Sequence, residues 1–418
     1  MKTCSLLARA LALATLTLTG NAIAGEPLFL GQAATKATAT VDTLVAKPDT
    51  ANLRVVRANP AAVRADNREI ELDVGGKRVN AVLKRAYAVD GGLVWSGEVR
   101  ETAKARGASA REVANDEMNS AVLVRRGNGV TGNIRVNGKL YRVRPLADGT
   151  HAVIEVDESR IPADHPQEFF GLPNIRMDAA QAARRTTSGD VGAAAIDPGA
   201  TVTIRVAVMA TNAAVAAYGG DMRALVDLAI AESNQGYANS NVGINLVLAS
   251  YSTTSYRERG MSRDLSRFRT VGDGYMDEIH TIRNNTGADV AMLVGNDGSA
   301  CGLASGIGST ASTAFATVYW DCATGYYSFA HEIGHLQSAR HDPAADPTNT
   351  PYAYGHGYRA PNAAWRTVMA YNCTPSCPRI NYWSNPDITY GGQPMGTVDR
   401  SHNQRVLVNT KATIAGFR

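Results

Sequence analysis

The sequence predicts an α/β protein in two parts. A mixed, twisted sheet packed with helices fills residues 191–418, and a β-rich unit precedes it over 25–190. Three observations carry this. From residue 201 onward, runs with strand alternation and runs with helical periodicity succeed one another, the order of a mostly parallel sheet with crossover helices. Between 130 and 156 only strand-like runs occur, separated by turn dipeptides. At 44% hydrophobic and 19% charged, a chain of 418 residues has the composition of globular domains, with length for two or three of them.

Residues 1–24 read as a secretory signal: Lys2 and Arg9 precede the apolar run Leu11–Leu18, and Ala22-Ile23-Ala24 is a small-residue cleavage site. The run is too short for the ~20 apolar residues of a membrane span. In the next unit, Val130–Val136, Lys139–Arg144 and His151–Val156 alternate as strands, broken by Asn137-Gly138 and Asp148-Gly149, both hairpin signals. Residues 178–200 are rich in Ala, Gly and Thr and contain Arg184-Arg185, as in an exposed, cleavable linker. Beyond it, Val202–Val208 alternates as a strand. Asp221 is placed to cap a helix with Met222, Leu225, Val226 and Ala229 on one face. A strand at Ile244–Ala249, a helix containing Met276, Ile279 and Ile282, and a strand at Asp289–Val294 follow. The Gly/Ser-rich stretch 295–310 reads as a loop, either a flexible rim or one stabilised by a metal. The strand Ala314–Trp320 comes next, at a sheet edge where it could pair with an extended peptide or in the interior. A short helix over 328–337 completes the series.

That helix carries the chemistry. Residues 331–341 read His-Glu-Ile-Gly-His-Leu-Gln-Ser-Ala-Arg-His, holding three of the eight histidines of the chain. His331 and His335 stand one helical turn apart on one face, so both imidazoles can reach one ion. Glu332 is badly placed to add a bond but well placed to meet a water on that ion. His341 lies past the helix end and requires the chain to turn back. Three neutral imidazoles with an open fourth position describe a catalytic zinc site rather than a structural one.

With Met369 following in Thr367-Val368-Met369-Ala370-Tyr371, the chain resembles the metzincin zinc endopeptidases, whose pattern is HExxHxxGxxH followed by a Met-turn. The resemblance covers roughly residues 195–418. It implies a single catalytic Zn2+ held by His331, His335 and His341, with Glu332 as general base and Met369 beneath the metal. Asp342 is similar to the reprolysin branch. Tyr371 is similar to the astacin and serralysin branches, where that tyrosine lies near the zinc and can donate to the oxyanion. The stretch Cys373–Pro386 is similar to secreted bacterial enzymes of the peptidyl-Asp metalloendopeptidase type. This last likeness implies cleavage on the amino side of aspartate, for which Arg379 and Arg366 are candidate pocket cations. The departure is Ser338, which stands where the family has glycine. A helix-ending residue with φ > 0 costs a side chain with a Cβ about 1–2 kcal/mol, and Ser338 is expected to accept that strain.

The resemblance makes 25–190 a propeptide that inhibits or chaperones a catalytic domain at 191–418. Asp190 is one candidate to silence the zinc, and Asp190 or Asp197 could mark self-cleavage. Signal removal leaves Cys301, Cys322, Cys373 and Cys377, an even count that favours two disulfides in an exported chain. Of the three pairings, the local one, Cys301–Cys322 with Cys373–Cys377, is expected. No cysteine is left in the propeptide to occupy the zinc. The net charge of +4 is unevenly spread: 191–418 hold sixteen Lys+Arg against seventeen Asp+Glu, a net of −1. Nothing in this balance points to nucleic acid. The expected protein is a secreted monomer that acts on protein or peptide substrates and has no membrane contact after signal removal; no motif indicates calcium. Two other readings share the motif: a zinc amidase acting on cell-wall peptides, and a secreted binding protein with a structural zinc.

Overall fold

The computed structural model describes residues 25–33, 38–100, 111–166, 173–174, 177 and 200–418. The signal, Arg184-Arg185, Asp190 and Asp197 lie outside the described residues.

The first unit is one ten-stranded sheet with a short helix. Its strands are β1 (Glu26–Pro27), β2 (Phe29–Gln32), β3 (Thr50–Ala58), β4 (Glu69–Val74), β5 (Lys77–Val89), β6 (Gly92–Arg100), β7 (Ser120–Arg126), β8 (Gly129–Val136), β9 (Lys139–Pro145) and β10 (His151–Val156). Helix α1 spans Ala39–Val45. The order β1-β4-β5-β6-β7-β8-β9-β10-β3-β2 is antiparallel at every pairing except β1 with β4. The Asn137-Gly138 turn is found as expected, with φ of 51° and 81° closing the β8–β9 hairpin. One face buries Trp95, Leu123, Ile134 and Val143.

The second unit contains β11 (Val202–Thr211), α2 (Asn212–Tyr218), α3 (Met222–Asn239), β12 (Ile244–Thr254), α4 (Met261–Arg269), α5 (Glu278–Thr286), β13 (Val290–Gly295), β14 (Gly302–Ala304), β15 (Phe315–Tyr319), α6 (Ser328–Leu336), the β16–β17 hairpin (Asn385–Tyr390, Gln393–Met395) and α7 (Asn403–Ile414). The sheet order is β12-β11-β13-β15-β14, parallel except for β14, which runs antiparallel on the edge. Alternation along β11 divides the core. Val206 and Val208 pack with α3 and α6, whereas Ala207 and Met209 face Leu265 and Phe268 of α4 and Ile279 of α5. Asp221 caps α3 as expected, accepting from the Ala224 N–H at 3.2 Å. Both local disulfides are present, Cys301–Cys322 and Cys373–Cys377.

Two stretches that the sequence leaves open are resolved. The strand at 315–319 is interior, between β13 and β14, so it cannot offer its edge to a peptide. The stretch 295–310 is no flexible rim. It holds the edge strand β14, and it finishes α6: the Gly308 N–H donates to the His335 carbonyl at 2.7 Å, and Ser309 Oγ donates to that of Leu336 at 2.8 Å. The Leu336 carbonyl would otherwise lack a partner at the helix end, and that of His335 gains a second donor. Helices α4 and α7 were not anticipated.

The first unit sits on α3 and on the loop leading into α6. Val94, Val122 and Val124 pack on Ala224, Leu228 and Ala231. Asp321, buried just after β15, binds Lys47 (2.6 Å), Arg142 (3.2 Å) and Arg144 (2.8 Å), all from the first unit. No described helix is long and apolar enough to cross a membrane.

Candidate active site

Helix α6 is wholly buried, and its small residues are set by what lies beneath it. A Cβ on Gly334 would come within 2.7 Å of the Trp383 ring and 3.0 Å of Met369 Sδ, so this helix face admits glycine alone. Met369 thus packs against the helix that carries His331 and His335. The helix ends at Ser338 in the left-handed region, φ 76°. There the Ser338 N–H donates to His335 O (2.8 Å) and the Ala339 N–H to Gly334 O (3.0 Å). Ser338 therefore accepts the strain, held by bonds that close the last turn, and the chain doubles back with His341.

The three histidines converge. His331 Nε2 lies 3.1 Å from His335 Nε2 and 3.2 Å from His341 Nε2, and His335 Nε2 lies 3.0 Å from His341 Nε2. His331 Nδ1 meets the Val368 carbonyl at 3.0 Å and His335 Nδ1 the Ala339 carbonyl at 2.8 Å. A carbonyl can only accept, so each Nδ1 carries the proton and each Nε2 presents a lone pair. Burial holds His331, His335 and His341 well below the ordinary histidine range, hence neutral, the form that binds metal. Lone pairs facing one another at this distance need a cation between them. A tetrahedral zinc with bonds of about 2.0–2.1 Å sets its nitrogens about 3.3 Å apart, close to the spacing seen. The residues fit zinc.

Glu332 shares the buried floor. Burial pushes its carboxyl up to about 8. Gly302 of the edge strand lies against it: a Cβ there would stand 2.5 Å from Oε1. The Tyr371 ring is 4.3 Å from that of His341, and its backbone N–H donates to Asp342 Oδ2 at 3.0 Å. Asp342 also accepts from Arg359 at 2.9 Å, so it anchors the turn that carries the tyrosine.

The two candidate arginines separate. Both are buried and lie over the Tyr326 ring. Arg366 is spent on the local chain, donating to the Ala370 and Cys377 carbonyls and to Tyr326 Oη. Arg379 donates to the Tyr326 and Ala370 carbonyls, and its Nη2 also reaches both oxygens of Asp164, at 2.7 and 2.8 Å.

Asp164 and its neighbour His165 are the residues that sequence reasoning missed. His165 joins His331, His335 and His341 in a group whose ligand atoms all lie within 4.8 Å of one another. One nitrogen of its ring is 3.1 Å from Tyr371 Oη and the other 3.4 Å from Glu332 Oε2. The available signal was Pro162-Ala163-Asp164-His165-Pro166, a short acidic–histidine pair bracketed by prolines after the last strand of the first unit.

Comparison with known proteins agrees with this geometry. Residues 200–384 match the model of metallo-peptidase family M12. The chain is 57% identical over 402 residues to a peptidyl-Asp metalloendopeptidase of Stenotrophomonas maltophilia, covering 94% of each. It is 54% identical over 407 residues to that of Xanthomonas campestris, covering 95% of each. A further 54% match to the Pseudomonas fragi peptidyl-Asp metalloendopeptidase spans 189 residues, 45% of this chain and 100% of that relative. The chain therefore belongs to the peptidyl-Asp metalloendopeptidases, bacterial zinc endopeptidases of family M12, and is an enzyme rather than a binding protein with a structural zinc.

Proposed function

We propose that the protein is exported as a zymogen, and that its zinc is held by His331, His335 and His341 with Glu332 as general base. The observation that carries this is the convergence of three Nε2 atoms beside one buried carboxyl. When bound, zinc supplies Lewis acidity and a water that ionises near neutral pH. Glu332 takes a proton from the attacking water and returns it to the leaving amine. Burial raises the Tyr371 hydroxyl, which keeps it a donor toward a developing oxyanion.

Specificity follows from Arg379. Its guanidinium is buried and already grips an aspartate carboxylate next to the histidine cluster. We assign it as the cation that receives a substrate's aspartate, with the bond on the amino side of that residue cut. Residues 25–190 act as the propeptide of a monomeric enzyme at 191–418 that works outside the cell, a reading supported by the signal-like start and the paired cysteines. Mass-spectrometric mapping of cuts in denatured protein tests the specificity. Cuts clustered before aspartate support it, and cuts without acidic preference contradict it.

A further inference from the structure

After β10 the chain crosses from the first unit into the active cleft. The Cys301 N–H donates to Ala163 O at 2.8 Å and the Gly302 N–H to Asp164 O at 3.1 Å, so this segment is tied to the edge strand β14. Farther along, the Ile307 N–H donates to Pro173 O at 3.1 Å, and Asn174 bridges Ile307 in parallel. Pro162 and Pro166 stiffen the segment on either side of the pair, since proline fixes φ. Asp164 and His165 are both buried.

The four imidazoles form a nearly regular tetrahedron. The six distances between their ring centroids all fall between 4.6 and 5.2 Å, and those involving His165 (4.7, 5.0 and 5.2 Å) lie within the range of those within the motif (4.6, 4.7 and 5.2 Å). A fourth histidine in this position can offer a nitrogen to the same ion, its ligand atom lying within 4.8 Å of the other three. Its neighbour makes the second contact. A buried guanidinium left without an anion is strongly unfavourable, and Asp164 supplies that anion to Arg379 in the intact chain.

We infer that Asp164 and His165 form a two-point plug of the active cleft. His165 is the fourth ligand of the metal, in the position a catalytic water needs, and Asp164 fills the Arg379 site that a substrate's aspartate must occupy. The inference rests on the zinc-peptidase reading above. It makes latency a competition for the same two places that catalysis uses, and it explains how a propeptide without cysteine silences the site. The segment is tied again at Ile307, beyond the edge strand, and the plug works by occupying side-chain sites.

Zinc X-ray absorption on the full-length chain, verified intact by mass spectrometry, tests the ligand. Four imidazoles are expected in the intact protein, and three with one oxygen in His165→Ala. Three imidazoles and a water in the intact wild type overturn the inference while leaving the zinc reading in place; a chain that binds no zinc overturns both. The wild-type count decides the matter even where the variant fails to fold. The second contact is read by titrating the intact chain with a hydroxamate that binds zinc. Asp164→Asn should raise its apparent affinity about tenfold or more by loosening the plug, and an unchanged affinity contradicts the role of Asp164.

Discussion

Gly302 lies against Glu332 so closely that a Cβ added to it would stand 2.5 Å from the Glu332 carboxylate oxygen and 2.8 Å from both Cγ and Cδ. The edge strand thus limits where the carboxyl of the proposed base can sit. Gly302→Ala should push the carboxylate aside and lower kcat/KM about 10- to 100-fold, within the range a general base contributes. Zinc content should not change. Steady-state kinetics with metal analysis checks this, and a Gly302→Ala enzyme with wild-type kcat/KM would show that Glu332 has room to spare.

Asp321 gathers three cations of the first unit. Burial by itself raises its carboxyl, but Arg142, Arg144 and Lys47 outweigh that and hold it well below the usual carboxylate range. Asp321→Ala leaves buried Arg144 without its anion and Arg142 with Asp49 alone, and should destabilise the intact chain by about 3–5 kcal/mol. Denaturant unfolding of the full-length protein measures this. A loss under about 1 kcal/mol would mean that the ion cluster does not hold the units together.

His151 makes the first unit sensitive to acid. Its Nε2 accepts from the Val130 N–H at 3.0 Å, and burial holds its pKa down at about 4. Between that value and the ordinary 6.5, the unfolded chain binds the extra proton, so stability is full above about 6.5 and falls as pH drops toward 4. The effect at its limit is on the order of 3 kcal/mol. His151→Gln keeps an acceptor for Val130 and removes the titration. Its stability between pH 6.5 and 4 should fall less steeply than that of the wild type, and parallel curves would contradict the assignment.

Much of this arrangement was readable where the signal is local. His331 and His335 are spaced by one helical turn, and His341 follows at a fixed interval, so the ligand triad needed only short-range reasoning. The strain at Ser338 followed from the need to turn. What escaped was short or distant. The edge strand β14 has three residues, too few to show a period. Helix α4 carries Met261, Leu265 and Phe268 at helical spacing, but Gly260 before it gives no side-chain cap. Nothing near Arg366 and Arg379 tells which of them meets a carboxylate, because that depends on Asp164, placed in the other unit. His165 stands 167 positions before Glu332, and only the folded chain brings them together.

In the proposed mechanism Glu332 moves the proton while the histidines hold the metal. The most direct measurement is made on Glu332→Ala in the matured enzyme, with zinc stoichiometry and peptide cleavage determined on the same sample. One zinc per chain is expected, with kcat/KM reduced at least about 100-fold. Cleavage at the wild-type rate with zinc retained would contradict it.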